Sequence, residues 1–267
     1  PDMVSFRQEV LEFYRRNRRT FPWRENITPY RVVVSEIMLQ QTGVERVREK
    51  YEPFVRSLPD FASLAAAPLT DIMTAWQGLG YNRRALSLKR LAGVVMERHS
   101  GRLPRDRGPL LDLPGVGEAT AGAIMAFAFN MSAVFIETNI RRVFIHHFFP
   151  GGTEVSDRQI IPLVEAALDP SNPRDWYYAL MDYGSSLGRG GSNANRRSAH
   201  YSNQTSFTGS DRELRGEAIR GLLARGLLSV EDIAAATGRD ADRLASVLDT
   251  MVGEGLIVRE RGGYRIA

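Results

Sequence analysis

The chain has 267 residues, 43% hydrophobic and 25% charged, with a formal net charge of +4. That length fits one large or two modest domains, with a core that needs no covalent staples. It holds no cysteine, which excludes disulfides, cysteine nucleophiles, cysteine-zinc sites and cysteine-held iron–sulfur clusters. Four histidines (His99, His146, His147 and His200) stand without an HExxH pattern, so no metal site is expected. No run reaches the ~18 apolar residues that a membrane span requires. Arg15, Arg16, Arg18 and Arg19 are followed by no apolar run and small-residue cleavage site. The expectation is an intracellular, cytoplasmic protein without a signal peptide. The basic excess permits an anionic partner without demanding one.

Taken in order, most of the chain reads as helix. Phe6, Val10, Phe13 and Tyr14 recur at helical spacing. The same period predicts helices over 32–41, 44–58, 69–78, 85–99 and 120–129. Pro22, Pro29, Pro59, Pro68, Gly78-Leu79-Gly80, Gly101, Pro104 and Pro114-Gly115 separate them. Strand signals are nearly absent before residue 255, so the fold class is all-α with short helices and short loops. From Tyr183 to Ser210 no acidic residue occurs, and Gly, Ser and Asn dominate beside Arg189, Arg196 and Arg197. This reads as a loop packed back on the first domain. Beyond it, Leu214, Ile219, Leu222 and Leu223 suggest a helix. Ser229 caps a second that carries Glu231 and Asp232 in its first turn. Residues 240–254 make a third, and 256–266 a hairpin turning at Gly262-Gly263. Three helices and a hairpin have the pattern of a winged helix. The expected organisation is thus a domain over 1–187, a basic loop over 188–209 and a winged-helix-like domain over 210–267.

Leu113-Pro-Gly-Val-Gly-Glu-Ala-Thr-Ala-Gly joins a helix end to a helix start. Gly115 and Gly117 permit a tight turn around Val116 and close backbone approach to a bulky group. N–H groups beside the helix start at Thr120 suit a phosphate. A Gly-x-Gly turn also occurs as an ordinary helix–helix connection.

This segment resembles the signature of helix-hairpin-helix DNA glycosylases. Further blocks follow the same order: Pro22-Trp-Arg, Pro29-Tyr, Ser35-Glu-Ile-Met-Leu-Gln-Gln-Thr, Trp76-Gln-Gly-Leu-Gly-Tyr and Phe135-Ile-Glu-Thr-Asn-Ile-Arg-Arg-Val. Together they resemble MutY-type adenine DNA glycosylases over roughly residues 5 to 185. The resemblance implies a two-lobed, all-α fold and double-stranded DNA with a mispaired or damaged base as partner. The implied reaction is hydrolysis of the N-glycosidic bond of a flipped base. Adenine opposite 8-oxoguanine or guanine is the expected target.

Such a reaction needs an acid to improve the leaving base and a negative group to stabilise the sugar cation. Glu36 sits among Val32, Val33, Val34, Ile37, Met38 and Leu39, an apolar setting in which a carboxyl can stay protonated. The alternative is a glutamate facing solvent on a buried helix. Glu137 occupies the place where the family normally has aspartate. Its charge is kept but sits ~1.5 Å further out at full extension; the alternative role is a helix cap. Ala119 stands where bifunctional relatives carry a Schiff-base lysine, so strand-cleaving lyase activity is not expected. By the same resemblance Gln40, Gln41 and Tyr81 enter the helix around the flipped nucleotide. Trp23 and Arg24 border the base pocket, and Asn139 orders the loop after Glu137. Arg83 and Arg84 are candidates for phosphate contact.

Two departures stand out. MutY-type enzymes usually hold a [4Fe–4S] cluster on four cysteines; here Gly188 to Tyr201 offers none, so no cofactor is expected. Arg196 and Arg197 are expected to meet backbone phosphates in its place. The tail departs too, because no segment matches the nucleotide-hydrolase-like domain that reads 8-oxoguanine. Residues 208–267 hold nine arginines and ten acids, a net of −1, where a DNA-binding winged helix should be basic. That tail is expected to pack on the catalytic domain, dimerise or meet a protein partner. Two other readings remain: a mismatch uracil/thymine glycosylase, disfavoured by the lack of an aromatic near Ala119, and a non-catalytic DNA-binding protein on a degenerate glycosylase fold.

Overall fold

A computed structural model describes residues 2–189, 193–202 and 206–267. Among these, fifteen α-helices and one β-hairpin follow in order. They begin with α1 (Met3–Asn17), α2 (Pro22–Glu25), α3 (Pro29–Leu39), α4 (Val44–Ser57), α5 (Phe61–Ala66), α6 (Leu69–Trp76), α7 (Arg83–His99) and α8 (Arg107–Leu111). There follow α9 (Glu118–Phe129), α10 (Thr138–Phe148), α11 (Asp157–Ala167), α12 (Pro173–Arg189), α13 (Asp211–Arg225), α14 (Val230–Thr237) and α15 (Ala241–Glu254), then β1 (Ile257–Glu260) and β2 (Gly263–Ile266). No helix among the described residues is long and apolar enough to cross a membrane.

The chain divides into two compact units, each built from separated segments. The first comprises residues 1–36, 104–112 and 116–203. Its centre is α10, packed on α12, with α1 also packed on α12. Phe6 meets Phe144 at 5.3 Å and Trp176 at 6.1 Å between ring centroids. Apolar residues one helical turn apart (Ile140, Val143, Phe144) bury one face of α10, which is why this stretch is helical. Gly184 allows α12 to approach α10 closely: a Cβ there would lie 2.4 Å from the Asn139 carbonyl oxygen. That contact explains a difference from the sequence reading. The stretch from Tyr183 to Arg189 is the last part of α12, helical because Tyr183 and Gly184 are buried against their neighbours. A short 3-10 turn over Ala194–Arg197 then packs on α10.

The second unit comprises residues 37–103, 113–115 and 204–267. Its core gathers Trp76, Tyr51, Phe54, Leu64 and Ile72, all fully buried. The tail forms three helices and an antiparallel hairpin with Ile257 opposite Ile266. Composition suggested a boundary near residue 209, yet the tail clusters with the helices of residues 37–103. Part of the reason is ionic: Arg90 Nη2 donates to the Glu254 carbonyl oxygen at 3.1 Å, and the Glu254 carboxylate pairs with Arg215 and Arg83.

Candidate active site

The first unit assembles the two candidate carboxyl groups. Glu36 follows the buried run Val32–Ser35 on α3. No hydrogen bond reaches its carboxyl among the described residues. Burial, and next the neighbouring charge of Glu137, push its pKa up from 4.5 to about 8, while Arg24 acts in the opposite direction. That shift favours the neutral, protonated carboxyl at neutral pH.

Glu137 is held differently. It stands at the N-cap of α10, where its Oε1 accepts from the backbone N–H groups of Asn139 (2.7 Å) and Ile140 (2.8 Å). Its Oε2 accepts from Asn139 Nδ2 at 3.2 Å. The longer side chain is thus folded onto the cap, the local role anticipated for an acid here. Burial raises its pKa, while these N–H donors and the nearby guanidinium groups of Arg142 and Arg141 oppose the rise. The two backbone N–H donors favour the ionised form of Glu137, a support that Glu36 lacks.

Arg142 supports this arrangement from behind. Its Nη1 donates to Asn139 Oδ1 and to the Gly184 carbonyl, both at 2.8 Å, and its Nε to Asn193 Oδ1 at 3.1 Å. Asn139 is thereby oriented so that its amide faces Glu137. The sequence reading placed Asn139 here and missed Arg142. The Asn-x-x-Arg spacing was its signal, because residues three apart share a helix face.

Arg24 is 6% exposed and makes a bidentate pair with Asp182, both contacts at 3.0 Å. Arg19 adds a third contact to the same carboxylate at 2.8 Å. The Arg24 guanidinium lies 4.3 Å from the centre of the Tyr178 ring, and its Nε is a buried donor without a partner. Trp23 stacks on Phe21 at 4.9 Å. Tyr178 feels the charge of both Arg24 and Glu36. Trp23, Arg24, Glu36 and Glu137 thus belong to one unit, and the last three form one electrostatic neighbourhood. Asp182 and Tyr178 join them unannounced; only a lone carboxylate in an apolar helix pattern hinted at the first.

Other predicted residues fall elsewhere. Gly117 caps α9, and Val116 has its side chain buried, so only its backbone is available to a phosphate. Thr120 lies in the first turn of α9. The hairpin differs from expectation at its glycines: Gly115 has φ +82° and a Cβ there would lie 2.9 Å from Ser87 Cβ, whereas Gly117 has an ordinary φ of −101°. Arg197 donates to the carbonyl oxygens of Phe149 and Ile145 and so caps the end of α10, while Arg196 is exposed. Asn195 anchors the same turn through the Thr138 carbonyl at 2.9 Å. Without a thiolate anywhere in the sequence, and with Asn195 and Arg197 bonded to main-chain oxygens at the two ends of α10, this stretch does not fit an iron–sulfur cluster.

The second unit holds Gln40, Gln41, Tyr81 and Gly115. Gln41 and Tyr81 both have left-handed backbones, φ +54° and +46°, costly for non-glycine residues. Arg84 holds them. Its Nη1 donates to the carbonyl oxygens of Ile37 (2.9 Å), Met38 (2.7 Å) and Gln40 (2.5 Å), and its Nη2 to those of Leu79 (3.2 Å) and Gly80 (3.0 Å). Arg84 was a candidate for phosphate contact; it is a buried brace between two turns. Gln40 Nε2 donates to the Gly115 carbonyl oxygen at 3.2 Å, tying the hairpin to the same place.

Residues 34–161 match the family model described as HhH-GPD superfamily base excision DNA repair protein. The chain is 35% identical over 182 residues to a thymine/uracil-DNA glycosylase of Methanothermobacter thermautotrophicus, covering 67% of this chain and 82% of that protein. It is 33% identical over 186 residues to an adenine DNA glycosylase of Buchnera aphidicola, covering 68% and 52%. The chain therefore spans about half the length of this adenine-type relative. Among solved structures, a thermostable thymine-DNA glycosylase superposes with a TM-score of 0.61 at 31% identity, covering 68% of this chain and 86% of that one.

Proposed function

Because the chain belongs to the HhH-GPD superfamily of base excision DNA repair proteins, we propose that it is a monofunctional DNA glycosylase that hydrolyses the N-glycosidic bond of a flipped, mispaired base. The observation that carries this reading is the pair of unlike carboxyl groups: Glu36 pushed up to about 8, and Glu137 held on the N–H groups of α10. The neutral carboxyl of Glu36 donates its proton to a ring nitrogen of the departing base. The C1′–N bond breaks, and the electron pair leaves with the base. The charged Glu137 faces the positive sugar, and water supplies the hydroxyl to C1′ while its proton returns to the carboxylate pair. No resident cofactor takes part. Ala119 offers no amine, so no Schiff base forms and the product is an abasic site in an unbroken strand.

Adenine is the proposed base. A purine needs protonation to leave, which matches a carboxyl kept neutral at physiological pH, and 8-oxoguanine or guanine is the proposed opposite base. Thymine or uracil opposite guanine is the second reading, favoured by the relative that matches over 82% of its length. The test incubates A:8-oxoG, A:G, U:G and T:G duplexes with the protein, followed by alkali. Cleavage of the adenine strands only after alkali is expected. Cleavage of U:G and T:G alone would establish the second reading, and cleavage of none would overturn both. Double-stranded DNA is the proposed partner, inside the cell.

A further inference from the structure

The tail from residue 208 onward has a net charge of −1, from nine arginines and ten acids, yet most of those acids are already engaged. Glu213 and Glu217 pair with Arg239, Asp211 with Arg243, Asp249 with Arg259 and Glu260 with Arg265. Glu254 pairs with Arg215 and Arg83. Asp232 accepts from the Ser229 hydroxyl, and Asp240 caps α15. A pair of opposite charges in contact casts little field at a distance. The charge left over is uneven. On α13, Arg212, Arg215, Gly216, Ile219 and Arg220 lie at the spacing of a single helix face (i, i+3, i+4, i+7, i+8). Arg220 is exposed, and among the described residues no ion pair holds it. Arg212 Nη1 donates to the neutral Tyr81 hydroxyl at 2.8 Å. The acids of α13 turn elsewhere, to Arg239 and Arg243. The near-neutral total therefore conceals a basic stripe.

The surfaces that a winged helix offers to DNA have the opposite character. Its reading element is the second helix of the helix–turn–helix pair, here α15. The exposed positions of α15 hold Asp242, Arg243, Ser246, Asp249 and Thr250, and Arg243 is tied to Asp211. The last turn of α15 is occupied as well, since the Glu254 carbonyl oxygen accepts from Arg90 of α7 at 3.1 Å. On the hairpin, Arg259 and Arg265 are both paired. We propose that the tail binds duplex DNA by its phosphate backbone through the α13 stripe, with Arg220 as its principal contact, and not through α15 or the hairpin. Arg212 and Arg220 are eight positions apart, about 12 Å along the helix axis. On a strand that rises about 3.4 Å per nucleotide, this span reaches phosphates three to four nucleotides apart. Arginine suits such a contact because its planar fork matches a phosphate. The proposal rests on the glycosylase reading only for its choice of duplex DNA, so its test uses an undamaged duplex and reads binding, not excision.

The full chain is titrated with a fluorescent, undamaged duplex at several salt concentrations. Arg220→Ala is expected to weaken binding about three- to tenfold at low salt and to lower the salt slope by about one ion. The double variant Arg212→Ala, Arg220→Ala lowers the slope by about two. Two exposed positions on the other surfaces serve as controls: Ser246→Glu on α15 and Arg261→Ala at the hairpin turn change neither affinity nor slope. A slope unchanged by Arg220→Ala overturns the proposal, as does a parent that binds no duplex. A slope lowered by Arg261→Ala, or binding weakened by Ser246→Glu, gives the contact to the winged-helix surfaces and overturns it too. Arg220-dependent binding of polyglutamate as tight as that of the duplex would assign the stripe to an acidic protein instead. The two readings fail separately. If adenine, uracil and thymine duplexes all stay uncut while the Arg220 effect is present, the glycosylase reading falls and the α13 contact stands; if excision occurs while Arg220→Ala leaves binding unchanged, only the α13 contact falls.

Discussion

Replacing Glu36 by glutamine should make the protein more stable and less active at once. The amide keeps the shape of the side chain but cannot ionise. In the parent, the folded protein holds the Glu36 proton with a pKa of about 8, against 4.5 for an ordinary glutamate. The folded state therefore binds this proton more tightly than the unfolded chain does. Below pH 4.5 both states are protonated and nothing is lost. As pH rises from 4.5 to 8, the unfolded chain releases its proton first, and folding stability falls. At pH 7 that loss is about 3 kcal/mol for the full shift, and the partial exposure of the residue to water reduces it to ~1–3 kcal/mol. The Glu36→Gln variant escapes it. Urea unfolding of both proteins at pH 4.5, 6, 7 and 8 should show the variant gaining on the parent by this amount. Its excision rate should meanwhile drop by a factor on the order of 10²–10⁴. A stability difference that stays flat across the series would refute the reasoning, as would one that grows toward acid.

The parent's excision rate should itself decline as pH rises through about 8, where Glu36 loses the proton it donates; a rate still climbing from pH 8 to 9 would remove Glu36 from the chemistry. Glu137→Gln keeps the cap geometry but not the charge, and single-turnover rates should fall at least about 10²-fold with the melting temperature within a few degrees. Arg142→Ala frees Asn139 from its orientation, and kcat should fall about 10- to 100-fold with KM little changed; equal changes in both would show a binding role instead. Gly184→Ala forces a methyl onto the Asn139 carbonyl. Unfolding should show a loss of at least about 2–3 kcal/mol.

Some of this was legible in the sequence and some was not, for identifiable reasons. Helices whose apolar residues repeat every three to four positions, such as α4, α6 and α7, are readable because one face of each is buried on the core. The N-cap at Ser229 likewise announces α14. The end of α12 was hidden because its Gly, Ser and Tyr composition mimics a loop, whereas its burial against α10, which Gly184 permits, is a tertiary fact. Glu36 and Glu137 were visible as motif residues, but their unlike environments are tertiary facts. The role of Arg84 was invisible: a guanidinium read as a candidate for phosphate contact donates to main-chain oxygens of residues over forty positions away. Arg142 lay within a spacing already noted. The tail's basic stripe was masked by a charge sum, which discards direction.

The brace at Arg84 has a consequence for how this protein can vary. Two separate bends, around Gln41 and around Tyr81, are clasped by the two ends of one planar group. A lysine has a single nitrogen and cannot hold both. The position is therefore closed to the usual basic exchange, and neither bend can drift alone. Insertions or deletions that descendants tolerate in other loops would be inherited here only as matched changes in both.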